Sequence, residues 1–239
     1  MVLSRTRRNA KLALKGFIFD IGNLQEVLDI RRRNALEDSM GFHGQWDEHR
    51  RFQVAFLKAQ GLVPSHAFLE IGCGPLTAGI PIIEYLQPNK YFGIDIRSSV
   101  LDLAWGEVAR AGLSAKNPRL ICSSSFGAEE LGEEQFDVVL SFSVLFHLND
   151  ELLHAYFQTV ARRLKSTGFC VAQVNTQSDE STWLEFPFLK RKIDTYFAMA
   201  GEAGLKTRPL GTIERLGFRL SGEEKLNEML AFVKFEASN

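Results

Sequence analysis

Residues 68–79 read Phe68-Leu69-Glu70-Ile71-Gly72-Cys73-Gly74-Pro75-Leu76-Thr77-Ala78-Gly79, and the rest of the chain is organised around them. The apolar run FLEI suits a strand buried on both faces of a parallel sheet. Glycines break that run at Gly72 and Gly74, and TAGIPIIEYL continues as an apolar pattern of helical length. A strand, a glycine turn and a helix make a nucleotide site. Glycines let the backbone pass close to a ligand, and the first turn of a helix presents N–H groups that lack intrahelical partners.

The details of the turn choose the ligand. A dinucleotide-binding turn reads G-x-G-x-x-G, and here Thr77 stands where its third glycine would be, the next glycine being Gly79. The turn also follows an acid, Glu70, which would repel a pyrophosphate but not a ligand carrying an ammonium and a sulfonium. E-x-G-x-G-x-x-x-x-G, from Glu70 to Gly79, resembles the first signature of the class I S-adenosylmethionine-dependent methyltransferases.

Further segments follow in the order this family uses. Tyr91-Phe92-Gly93-Ile94-Asp95-Ile96 reads as a second strand ending in an acid about 20 residues beyond the turn, where nucleotide-binding α/β units place a carboxylate on the ribose hydroxyls. Ile96 is positioned to pack on an adenine face. Arg119 to Cys122 is a third strand, and Ser123-Ser124-Ser125-Phe126 occupies the family's adenine-recognition position without the acid often found there. Phe136 to Ser141 is a fourth strand, followed by Phe142 to Leu148, so Ser141 to His147 should line the reaction centre at the carboxyl ends of the strands. This segment, FDVVLSFSVLFHL, resembles small-molecule methyltransferases. It is neither the Asn/Asp-Pro-Pro-Tyr/Phe nor the Pro-Cys signature of enzymes that methylate nucleic-acid bases. A fifth strand spans Phe169 to Val174 after a turn at Lys165 to Gly168. Lys206 to Leu210 and Glu228 to Phe235 form the returning pair.

The resemblance implies a Rossmann-like α/β fold, a seven-stranded mixed sheet flanked by helices. It also implies S-adenosyl-L-methionine as cofactor, contacted by Glu70, Gly72, Cys73, Gly74, Asp95, Ile96, Ser124, Ser141 and Phe142. A base is needed only if the acceptor must lose a proton, and His147 is the candidate, since imidazole titrates near neutral pH. The competing reading of His147 is structural, bonding backbone at the start of the next helix. A helix over Gln45 to Gln60 sets Trp46, His49, Arg50 and Gln53 on one face, as a lid over cofactor or acceptor or as an ordinary amphipathic edge. Trp183, Phe186 and Phe188 fall where the family commonly carries its acceptor pocket, and are either that pocket or core.

The chain's 239 residues suit one sizeable α/β domain, expected over 65–239, behind an N-terminal helical extension and lid over 1–64. A formal net charge of −1 does not call for nucleic acid as a partner. Cys73, Cys122 and Cys170 lack metal-ligand spacing and read as reduced thiols, and no metal site is expected. No apolar run approaches the roughly 20 residues needed to span a bilayer. The basic N-terminus has no signal-peptide core, so the expected location is cytoplasmic. The expected activity is methyl transfer to a small-molecule, glycan or lipid-precursor acceptor at oxygen. The rivals are a non-catalytic binding module on the same fold and an NAD-dependent oxidoreductase.

Overall fold

Strand β1 (Phe68–Ile71) is buried along its whole length, as a central strand with helices on both faces must be. It pairs in parallel with β2 (Tyr91–Asp95) on one side and β4 (Phe136–Ser141) on the other. Strand β3 (Arg119–Cys122) flanks β2, and β5 (Leu164–Asn175) flanks β4, both in parallel. The computed structural model describes residues 31–32, 46–176, 180–183, 186–218 and 227–234. Within them β9 (Asn227–Lys234) pairs antiparallel with β5, and β8 (Leu205–Thr212) pairs antiparallel with β9, giving the order β3-β2-β1-β4-β5-β9-β8. This is the mixed seven-stranded sheet the sequence predicts.

Alternation along the strands separates two cores. Phe68, Val138, Leu140 and Val171 face helices α1 (Trp46–Ala59), α2 (Gly79–Tyr85) and α3 (Ser98–Arg110). Leu69, Ile71, Val139 and Cys170 face α4 (Asp150–Arg163) and α5 (Ile193–Glu202). The order of the sheet reverses between β1 and β4, which opens a crevice at their carboxyl ends.

Several local expectations change in detail. At the start of α3, Arg97 holds the cap position and makes no side-chain cap bond. Asn149 caps α4, its side chain accepting the Leu152 N–H at 2.9 Å. The turn at Lys165–Gly168 lies inside β5 as an irregularity, with pairing to β4 passing from Leu164 directly to Phe169. Gly168 is needed there, because a Cβ would sit 2.9 Å from the carbonyls of Phe136 and Asp137. The aromatic interval forms a hairpin, β6 (Ser181–Trp183) with β7 (Phe186–Phe188), which periodicity did not reveal.

The chain divides into two compact units, Met1–Asp47 and Glu48–Asn239. Residues 48–64 fall in the second of these units. Of residues 1–45, only 31–32 are described, and they are helical. No helix among the described residues is long and apolar enough to cross a membrane.

Candidate functional site

The glycine turn bends back on β2. The N–H groups of Gly72 and Cys73 both donate to the Ile94 carbonyl, at 2.7 and 2.9 Å. Gly74 and Leu76 take left-handed backbone angles, φ 53° and 64°. Gly72, at φ 78°, has a second constraint: a Cβ there would lie 2.3 Å from Val144 Cγ2, so the loop after β4 packs directly on the turn. The Cys73 thiol points into the core, and burial pushes its pKa well up, so what Cys73 offers a ligand is backbone.

Glu70 lies on the α2 face of β1, 4% exposed, and accepts a 2.5 Å hydrogen bond from the Tyr91 hydroxyl. Gly79 makes that bond possible, because a Cβ at 79 would sit 2.6 Å from the Tyr91 oxygen. Burial, reinforced by the Asp95 charge and opposed by the Tyr91 hydrogen bond, raises the Glu70 pKa to about 8. This corrects the electrostatic reading of the turn. Without a ligand, Glu70 is largely protonated at neutral pH, and its repulsion of a pyrophosphate is correspondingly weak. A cationic ligand would favour the ionised form and so be bound in preference.

Asp95 ends β2 with 5% exposure. One carboxylate oxygen accepts the Gly74 N–H at 3.0 Å, and the other accepts the backbone N–H and the Nε–H of Arg97, at 3.0 and 3.3 Å. Strand end and glycine turn are therefore tied together by the acid the sequence singles out. Beside it Ile96 leaves 54% of its surface exposed, an apolar platform at the mouth of the crevice. Ser124 is exposed just after β3. The loop that carries it is ordered by the buried Ser123, whose hydroxyl accepts the N–H groups of Ser125 and Gly127. A cavity of about 480 Å³ runs from Ser124 and Ser125 along α4 past Leu152, Gln158 and Arg162.

The loop after β4 forms the other wall. Ser141 is fully buried on the α4 face, and its hydroxyl accepts from Tyr156 at 2.9 Å, so that side chain serves the core rather than the crevice. Phe142 turns to the opposite face and meets the His49 ring edge-on at 4.8 Å. Ser143 has a left-handed backbone, φ 57°, fixed by Gln173 Oε1, which accepts both its N–H and its hydroxyl at 3.0 Å. A non-glycine residue held in this region at a strand's carboxyl end is characteristic of a functional loop.

His147 follows in a 3₁₀ turn, Leu145–His147, and its Nδ1 lies 2.6 Å from the Pro187 carbonyl of β7. A carbonyl only accepts, so Nδ1 carries the hydrogen and Nε2 carries the basic lone pair. The ring packs against Phe146, Phe186 and Phe188. Burial lowers its pKa below the ordinary imidazole value, so it is neutral at pH 7.

Of the proposed lid face, His49 and Gln53 are buried, 3.2 Å apart, and burial lowers the His49 pKa to about 3. Arg50 donates to the Thr77 carbonyl at 2.8 Å and so ties α1 to the glycine turn. The side chain of Trp46 lies outside the described residues. Tyr91, Arg97 and Gln173 were missed by the sequence reading. Tyr91 opens the strand that ends in Asp95 and Arg97 stands two residues beyond that acid, but nothing local marks Gln173. Among the described residues no cluster of three or more His, Cys, Asp or Glu is placed to hold a metal ion.

This geometry fits S-adenosylmethionine on three counts: a turn that admits no Cβ at Gly72, a buried acid ending β2 that is tied to that turn through the Gly74 N–H, and an exposed apolar residue next to that acid. Comparison with known proteins agrees. A family model described as a methyltransferase domain matches residues 69–170. Among solved structures, a magnesium protoporphyrin IX methyltransferase from Synechocystis with bound S-adenosylmethionine superposes with a TM-score of 0.60 at 18% identity, covering 79% of each chain. An S-adenosylmethionine-dependent methyltransferase from Clostridium acetobutylicum gives 0.64 at 12% identity, covering 87% of this chain and 99% of that one. A glycopeptide N-methyltransferase complexed with sinefungin gives 0.60 at 14% identity, covering 75% and 91%. At these identities the likeness to the solved structures is one of fold.

Proposed function

We propose, starting from this chain's membership of the class I S-adenosylmethionine-dependent methyltransferases, that it methylates a small-molecule, glycan or lipid-precursor acceptor at a hydroxyl oxygen, with His147 as general base. The observation that carries the choice of oxygen is the state of His147: a neutral imidazole at the carboxyl end of β4, with its Nδ1–H committed to Pro187 and its basic Nε2 set among aromatic rings.

S-adenosylmethionine, when bound, supplies a methyl on sulfonium that an acceptor atom attacks in line. The chain's own residues do the rest. Asp95 and the Gly72–Gly74 turn, joined by the Gly74 N–H, hold the cofactor. Glu70 offers it a carboxyl that becomes charged beside a cation. Phe146, Phe186 and Phe188 pack around His147 and give the acceptor side an apolar lining. His147 Nε2 takes the hydroxyl proton as the new C–O bond forms, a contribution of about 10²–10⁴-fold for a positioned base. The formal charge of −1 supports an acceptor other than nucleic acid. Three free cysteines support a reducing, cytoplasmic setting.

The test is release of S-adenosylhomocysteine from the wild-type protein against a panel of sugars, phenols, carboxylic acids and amines. Turnover of an oxygen acceptor, reduced about a hundredfold or more by His147→Gln, is the expected result. Turnover confined to amines, or full activity in His147→Gln, contradicts it.

A further inference from the structure

Arg97 stands between the two walls and touches both. Its backbone N–H and its Nε–H hold one oxygen of Asp95, the acid that ends β2. Its guanidinium carbon lies 5.7 Å from the centre of the Phe186 ring, within the range of a cation–π contact. Phe186 is the first residue of β7, its ring is 5.9 Å from that of His147, and the next residue, Pro187, takes the His147 Nδ1–H. A continuous path thus runs from the Asp95 carboxylate through the Arg97 guanidinium to the hairpin strand and the imidazole. Arg97 is about three-quarters buried, its side chain 23% exposed against 6% for Asp95, so the ion pair is shielded from full solvent screening.

We infer that Arg97 is a positioning residue that couples occupancy of Asp95 by the cofactor to the placement of the β6–β7 hairpin and, through Pro187, of His147. The inference rests on the reading above that Asp95 holds the cofactor. A ligand that hydrogen-bonds the Asp95 carboxylate competes with Arg97 Nε for it, while the Arg97 and Gly74 backbone N–H groups keep the carboxylate in place. The guanidinium then shifts its weight between the carboxylate and the Phe186 face. A flat, delocalised cation can serve both partners at once, which a compact lysine ammonium does not do equally well. Coupling of this kind needs only that the ligand interact differently with the two arrangements.

The experiment is hydrogen exchange of the full chain with and without saturating S-adenosylhomocysteine, read at Phe186 and Phe188, with affinity measured by calorimetry on the same samples. In the wild type the ligand should change exchange at these amides by about tenfold or more, the scale of a change in local opening. Arg97→Met and Phe186→Leu, which cut the path on opposite sides, should each lose that response, and Phe186→Leu should bind S-adenosylhomocysteine within about threefold of wild type. Phe186→Leu leaves the Asp95–Arg97 pair intact, so it stands as the test if Arg97→Met does not fold. Binding to the wild type without any hairpin response overturns the coupling alone, as does an undiminished response in both variants. Failure of the wild type to bind S-adenosylhomocysteine overturns the cofactor reading and the coupling together.

Discussion

The wall that runs from Glu70 to Arg97 is contained in one stretch of chain, whereas the wall around His147 is assembled from separate segments. In the first, Glu70, Gly72, Gly74, Gly79, Tyr91 and Asp95 belong to two neighbouring strands, the turn after β1 and the start of α2; Glu70 bonds Tyr91, Gly74 bonds Asp95, Gly79 lies against Tyr91, and Gly72 bonds Ile94 of β2. In the second, His147 depends on a carbonyl 40 residues away, Ser143 on a glutamine 30 residues away, and Phe142 on a ring from α1. In the proposed reading the first wall meets the cofactor, whose chemistry does not vary. The second presents aromatic surface and one neutral imidazole, carried by a loop and a hairpin.

The contrast predicts that substitutions in the first wall act on the fold and the cofactor together, and the largest effect is electrostatic. Folded Glu70 binds its proton more tightly than the unfolded chain does, with a pKa of about 8 against 4.5. Its stabilising contribution is therefore complete below pH 4.5 and lost as pH rises towards 8, by as much as about 4 kcal/mol in the ligand-free protein. Urea unfolding across that range should show the decline, and Glu70→Gln should flatten it; an unchanged slope in Glu70→Gln would assign the decline to other groups.

Gly72→Ala comes next. It combines a positive φ with an overlap on Val144, and the expected cost is about 3 kcal/mol in urea midpoint experiments. Gly61→Ala is the control for strain alone. It has φ 105° with nothing within 4 Å of an added Cβ, and should cost about 1 kcal/mol. Equal costs at the two sites would deny that the turn and the β4 loop are packed against each other.

On the second wall Gln173→Ala removes the acceptor of the Ser143 N–H and hydroxyl, for an expected loss of about 1–2 kcal/mol. Because Gln173 belongs to the assembled wall, affinity for S-adenosylhomocysteine should hold to within about threefold. A larger fall in affinity than in stability would dissolve the distinction between the walls.

The same contrast explains what the sequence discloses. Glu70, the glycines and Asp95 are legible because short strands, a turn and a helix impose local residue types, and because the distance from turn to acid follows from one helix crossing between parallel strands. The sheet is legible for the same reason. The hairpin is not, since neither of its strands exceeds three residues and its aromatics carry no period. The role of Ser141 is lost because neighbouring residues in β4 face opposite sides, which sends Ser141 to Tyr156 and Phe142 to His49. His49 and Gln53 are predicted to share a face and do, but a helical repeat does not tell a buried polar pair from a lid facing a ligand. The raised pKa of Glu70 depends on Tyr91 and Asp95 lying beside it on the next strand, a matter of register rather than of motif.

The central claim is that the turn at Gly72–Gly74 and the acid at Asp95 form one cofactor site. Calorimetric titration of the wild type and of Asp95→Ala with S-adenosylhomocysteine, with NAD as the competing ligand, tests it most directly. The wild type should bind S-adenosylhomocysteine, Asp95→Ala should bind it at least about tenfold more weakly, a loss of about 1.4 kcal/mol, and NAD should show no comparable binding. Equal affinity in wild type and variant, or binding of NAD in place of S-adenosylhomocysteine, would contradict it.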